Sequence, residues 1–451
     1  MVITAPPAPS PVPSARRRRF PTRRAGLLLA LVLLVAGVLV AGLDEVRLDG
    51  PATPAPQPVG DRLSGTIDQT QRRLHRVPND PSAWALLGAA YVEQARVSGN
   101  PAYYSQAQGA LERSFALQPE GNAPALIGSG ALANARHDFA AARRYAEQAI
   151  ALNPASMEAY GVLADATTQL GDTAVATAAV QRMLDLRPGV ASFTRASYEL
   201  ELHGRVDDAR AALLRALQAA TSRDELAFCY YHLGELAFGG GDVATASDYY
   251  ERGLAIDPDH ASLLQGRAKV FASTGRVDEA IAGYAALTQR VPLPQYLLEY
   301  GELLESAGRA AQADEQYQLL AAQQRLAAAQ GSVDELTAAQ VAADHGEPAG
   351  AVRLAIAEWD RRQTVFTADA LAWALHVAGR DAEALPYTAR AAELGWRDAA
   401  ADYHRGMILA ALNRPQESIA ALEAALATNP HFSPLHAATA RQALDTLRGQ
   451  R

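Results

Sequence analysis

LAFCYYHLGELAFGGGDVATASDYYERGLAIDP, residues 226–258, is the stretch whose reading decides the fold. Tyr230, Leu233, Gly234 and Ala237 recur at i, i+3, i+4 and i+7, which places them on one face of a helix. The pattern breaks at Gly239-Gly240-Gly241-Asp242. A second one follows, with Ala246, Tyr250 and Gly253 spaced four and three apart, and it stops at Pro258. A glycine run ends one helix and a proline blocks continuation of the next. The unit is helix, turn, helix, with small residues where two helices must approach closely. A single pair of this kind cannot bury its apolar face alone, so it requires neighbours built the same way.

Those neighbours are present. Trp84, Leu87, Gly88 and Tyr91 open a first copy, and Ala107, Leu111 and Pro119 continue it after an insertion around 97–102. Gly130, Ala142, Ala149 and Pro154 mark the next copy. Tyr160, Leu163, Ala176 and Pro188 mark another, then Phe193, Gly204, Ala209 and Ala216. Beyond the opening stretch come Leu264, Phe271, Ala280, Tyr284 and Pro292, then Tyr300, Gly301, Ala313 and Tyr317. Fainter copies lie around Gly346 and Gly379, and a clear one has Gly406, Leu409, Leu422, Ala425 and Pro430. A period of about 34 residues with W-x2-L-G-x2-Y, A-x3-F and P resembles the tetratricopeptide repeat. The resemblance implies an all-α, right-handed superhelical solenoid of about ten repeats over residues 81–430. A leading helix is expected in 61–80 and a capping helix in 431–451.

The chain has 451 residues and a net charge of −8. Six of its 41 basic residues, Arg16, Arg17, Arg18, Arg19, Arg23 and Arg24, fall in the first 26 positions, which hold no acid. The remainder carries 35 bases against 49 acids. An acidic body lacks the basic footprint that nucleic-acid binding needs. Residues 1–24, Pro- and Ala-rich and then basic, read as a disordered cytoplasmic N-terminus. Residues 25–43, AGLLLALVLLVAGVLVAGL, are uncharged. At 1.5 Å per residue they reach about 28 Å, close to the roughly 30 Å of bilayer hydrocarbon. A single transmembrane helix is expected there, with the Arg cluster holding the N-terminus inside and sending the repeats across a bacterial membrane. A cleaved signal peptide, giving a secreted protein, and a cytosol-facing adaptor are the alternatives. Residues 44–60 are a Pro-rich linker suited to an extended spacer.

No H-E-x-x-H, G-x-S-x-G or phosphate-loop signature occurs, so no catalytic residue, metal ligand or cofactor is expected. His431 and His436 flank a Pro-containing break and read as loop residues, and Cys229 reads as a small buried residue. The resemblance implies that first helices line a concave groove for a protein or peptide partner. Carried over by register, that groove includes Tyr198, Tyr231, Glu235, Phe238, Lys269 and Glu302, with Asp165, Trp373, His376 and Tyr403 at further positions. One branch of the family clamps chaperone tails with Lys, Asn and Arg. Ala85, Ala89, Ile127 and Ala131 stand at the corresponding positions, so that clamp is missing. The expected function is a membrane-tethered scaffold for protein–protein interactions on the extracytoplasmic side.

Overall fold

The computed structural model describes residues 59–332 and 334–449. The apolar run 25–43, the basic stretch before it and residues 44–58 of the spacer lie outside the described residues. Every element among the described residues is an α-helix, and none of these helices is long and apolar enough to cross a membrane.

Helix α1 (Val59–Arg76) begins within the stretch read as spacer. Ten helix pairs follow: α2 (Pro81–Ser98) with α3 (Ala102–Leu117), α4 (Ala123–Ala135) with α5 (Phe139–Leu152), α6 (Met157–Leu170) with α7 (Thr173–Leu186), α8 (Val190–Leu202) with α9 (Val206–Ala219), and α10 (Arg223–Gly239) with α11 (Val243–Ile256). Then come α12 (Ala261–Ser273) with α13 (Val277–Arg290), α14 (Pro294–Ser306) with α15 (Ala310–Ala329), α16 (Glu335–His345) with α17 (Pro348–Arg361), α18 (Val365–Val377) with α19 (Asp381–Ala391), and α20 (Ala399–Ala411) with α21 (Pro415–Thr428). Helix α22 (His436–Gly449) closes the array.

Local chemistry sets these boundaries. Asp138, Ser156, Asp172 and Asp242 each accept a hydrogen bond from the backbone N–H three residues on, satisfying donors that a helix start leaves free. Ser222 and Glu225 form a reciprocal capping box at α10. The Gly run before α11 turns through Gly241 at φ +77°, a conformation that costs glycine nothing.

Small residues decide how the pairs pack. A Cβ on Gly88 would lie 2.6 Å from Leu111, one on Gly301 2.3 Å from Tyr317, and one on Gly406 2.7 Å from Leu422. Opposite these glycines the second helices carry fully buried alanines, among them Ala107, Ala142, Ala246 and Ala280. In α21 that place is taken by Ser418, whose hydroxyl donates to the Gly406 carbonyl at 2.7 Å. The hydroxyl enters the interface only because the carbonyl satisfies it.

The array coils back on itself. The turn inside each of the first five pairs lies against the turn that follows the pair five places later. Gly99 meets Leu293, His137 meets Asp334, Gly171 meets Gln363, Gly204 meets Gly395 and Gly241 meets Thr428 and Asn429. At Gly171 and Gly204 a Cβ would stand 2.3 Å from the carbonyl oxygen of the later turn. The corresponding turns at Gly275, Gly308 and Gly379 have nothing within 4 Å of such a Cβ. The upper edge of the first superhelical turn is therefore covered by the lower edge of the second, along a seam of five contacts.

Candidate functional site: the lumen of the coil

Successive first helices bring their side chains to the inner face of the coil. Glu235 and Phe238 come from α10, Lys269 from α12, Glu299 and Glu302 from α14. These five line one cavity of about 450 Å³. Its far wall comes from the second superhelical turn: Asp398, the 429–434 segment and Arg441.

The centre of this wall is fixed from behind. Tyr250 of α11 passes between Gly234 and Gly266 and donates its hydroxyl to Glu235 at 2.6 Å. Lys269 donates to the other oxygen of Glu235 at 2.6 Å, and its ammonium lies 4.7 Å from the centre of the Phe238 ring. Burial works against the Lys269 charge, but Glu235 and Glu299 more than offset it and hold its pKa above the ordinary value. Glu299 accepts from the Tyr284 hydroxyl at 2.8 Å and from Gln265 at 2.7 and 2.8 Å. A second core tyrosine thus holds a second lumen carboxylate.

Three acids in and beside this cavity resist ionisation. Burial raises Glu302, with His345 opposing the shift. Burial pushes Glu201 on α8 up to about 7, with Glu235 and Asp398 adding repulsion. Burial and then Asp398 push Asp402 up to about 6. A cationic group entering here meets carboxylates that gain from its charge.

Four of the groove residues read from the sequence, Glu235, Phe238, Lys269 and Glu302, are brought together at this cavity. Tyr198 borders a different one of about 540 Å³, with Asp165, Arg195, Arg362 and Phe366. Its ring is 39% exposed and stacks on Phe366 at 6.5 Å, while Asp165 is held by a two-pronged pair from Arg195 at 2.6 and 2.7 Å. Tyr231 is half-buried, packs against the α10–α12 core and lines neither cavity.

Trp373 and Tyr403 do not present a groove surface, contrary to the sequence reading. They are 7% and 2% exposed, because α22 packs over this part of the inner face in a cluster with Leu422, Ala440 and Leu444. The Trp373 indole donates to Asp344 at 2.7 Å, and the Tyr403 ring stacks on His436 at 5.2 Å. His376 is tied to Asp381 at 2.5 Å. Cys229 is buried, and burial pushes its thiol up to about 12. Residues missed in the sequence are Glu299, one helical turn before Glu302, and the whole far wall. Helical spacing points to Glu299. Asp398, Asn429 and Arg441 reach the cavity only through coiling, for which no local signal exists.

Residues 130–191, 195–261 and 231–293 match one tetratricopeptide-repeat family description, and residues 401–432 match another. Among curated proteins the chain is similar to the photosystem I assembly protein Ycf3 of Prochlorococcus marinus strain NATL2A. That likeness is 34% identity over 95 residues, covering 20% of this chain and 55% of the relative. Ycf3 of Synechococcus sp. strain WH7803 is 32% identical over 106 residues, covering 23% and 61%. The chain thus spans little more than half the length of these relatives. Among solved structures it is similar to Pseudomonas aeruginosa PilF, with 18% identity, coverage of 46% of this chain and 95% of that one, and a TM-score of 0.37. It is also similar to the type IV pilus biogenesis factor PilW, with 19% identity, coverage of 44% and 92%, and a TM-score of 0.38. With ten stacked helix pairs among the described residues and repeat matches in both halves of the array, the chain carries tetratricopeptide repeats.

Proposed function

We propose that this protein is a scaffold that holds an extended segment of a partner protein inside its coil. It is tethered by residues 25–43, with the repeats on the extracytoplasmic side of a bacterial membrane. The observation that carries the binding reading is the cavity of about 450 Å³. There Phe238 offers an apolar face beside the Glu235–Lys269 pair, and Glu299, Glu302 and Asp398 stand within the same walls. Interface centres combine aromatic anchors with a few fixed polar groups in this way. Lys269 is already neutralised by Glu235, so the remaining acids favour a segment carrying a basic side chain. The tether rests on the uncharged run of 19 residues behind six arginines. The assembly role in the name of the cyanobacterial relatives suits a protein that holds others rather than transforms them.

Site-specific photocrosslinking in membranes tests the site. A benzoylphenylalanine at Phe238 is expected to capture a defined partner, and the same group at Leu152, exposed on the outer face of α5, is not. Adducts from Leu152 alone move the site to the convex face.

A further inference from the structure

Among the described residues, apolar clusters of buried and partly buried side chains join every second helix to the next first helix along the array, with one break; between α7 and α8 the link is the partly buried Ala196. One cluster runs over α12–α15 and another starts at α16; among the described residues none contains members of both α15 and α16. A cavity of about 440 Å³ lies there, lined by Gln323 and Ala327 of α15, Glu335 and Ala338 of α16, and Arg96 and Tyr104 of the first pair, and apolar burial on the two sides of the joint comes from single residues, Leu320 of α15 and Ala339 of α16. Polar contacts from one side chain bridge this joint. His345, the last residue of α16, stacks on Tyr317 at 4.2 Å and lies 3.2 Å from Glu305 and 3.9 Å from Glu302.

Everything beyond this joint, α16–α22, supplies the last three seam contacts, at Gln363, Gly395 and Asn429. That part of the seam is thinly held. Asn429 donates to the Phe238 carbonyl at 2.8 Å, Arg362 donates to Gln169, and Tyr198 faces Phe366. No buried apolar cluster crosses it among the described residues. Glu201 and Asp398, from opposite sides, repel one another across it. The two lumen cavities are each walled from both sides of the seam.

We propose that α16–α22 form an arm that swings about the α15–α16 joint and parts the seam at Gly171, Gly204 and Gly241, opening the lumen sideways. A coil shut along its edge admits only a chain end threaded along its axis. An arm that lifts admits the middle of a chain and then encircles it. Packed units joined by a weak interface move as rigid bodies rather than deform, which makes the poorly packed joint the hinge. The side most easily parted is the one without an apolar core.

Spin labels at Arg182→Cys on α7 and Arg353→Cys on α17, both exposed and on opposite sides of the seam, report the opening by their distance distribution in the full chain in detergent. Cys229, buried and with its thiol pushed up to about 12, stays unlabelled. Two distances are expected, a short one for the closed seam and a longer one. The longer fraction should at least double in His345→Ala, which removes the bridge, and in Asn429→Ala, which unties Phe238. One distance, the same in all three proteins, overturns the proposal. If a variant loses its helicity, the parent decides: two populations support the arm and one refutes it. The measurement needs no partner, so its failure leaves the partner-binding reading standing.

Discussion

Gly234→Ala adds one methyl group, and the geometry around it fixes the outcome. The new Cβ would stand 2.3, 2.6 and 2.9 Å from three atoms of the Tyr250 ring, where ordinary carbon contacts are about 3.5–4.0 Å. More than an ångström of space has to be found. The ring has little room to supply it, because it also lies tight against Gly266, where a Cβ built on that glycine would come within 2.4 Å of the same ring edge. The hydroxyl is tied to Glu235 as well. So α10 has to move away from α11, breaking contacts made by the fully buried Tyr250 and Leu233. Overpacking of this kind costs about 1–3 kcal/mol. Replacing a mid-helix glycine by alanine returns about 0.5–1 kcal/mol. The net expectation is a loss of about 1–2 kcal/mol, and Gly234→Leu should lose more. Gly109→Ala is the internal control: it sits inside α3 with nothing within 4 Å of a Cβ, so only the propensity gain applies. Urea unfolding followed by circular dichroism should move the two variants in opposite directions. A Gly234→Ala midpoint at or above that of the parent would falsify the tight-contact argument.

Three further outcomes follow from particular groups. Glu201 has a folded pKa of about 7 against 4.5, so the folded state holds more protons between these values and loses stability as pH rises from about 4.5 through 7. Glu201→Gln should raise Tm at pH 8 and leave it nearly unchanged at pH 4; an equal shift at both pH values refutes the cause. Tyr250→Phe keeps the ring and removes one hydrogen bond to a carboxylate, at a cost of about 1.5–3 kcal/mol, and an unchanged denaturation midpoint would show that Glu235 is held by Lys269 alone. Full-length protein should remain with membranes after alkaline carbonate washing if residues 25–43 span the bilayer; a shortened form beginning near Gly42 in the medium points to cleavage instead.

What could be read from the sequence was the part that depends on neighbours about 34 residues apart. Gly234 and Tyr250 face each other within one pair, so both helical spacing and a close-contact residue type announce them. The same holds for Gly88 with Leu111 and Gly406 with Leu422. Glu235, Lys269 and Glu302 occupy related places on consecutive first helices, and stacking alone brings them to one wall. Trp373 and Tyr403 occupy related places too, and register alone misplaces them as groove residues. The difference is α22, which lies on the inner face only at the end of the array and turns their surface into a core.

Coiling explains why the rest was hidden. A repeat sequence encodes the small rotation from each pair to the next, and every copy tolerates some variation in it. Whether pair three meets the turn after pair eight depends on the sum of five such rotations, which no single copy records. The residues at the meeting points show how little the chain has to specify. Gly171, Gly204 and Gly241 already need positive φ to end a helix and turn, at +77°, +69° and +77°. A residue chosen for its own turn therefore also lacks the side chain that would keep a later turn away. In the later pairs the same kind of glycine, at Gly275, Gly308 and Gly379, faces open space. The requirement for positive φ is thus local, met by glycine in most pairs and by His137 and Asn413 in two, while the glycines' second use, letting two edges of the coil touch, arises only among the first five pairs. That economy leaves the seam, among the described residues, with single ring contacts such as Tyr198 on Phe366 and Arg362 over Phe139 and without a buried apolar cluster of its own. An edge built from backbone contact and a few polar ties closes a lumen at little cost and reopens at little cost, which is what a scaffold that must take up and release a chain requires.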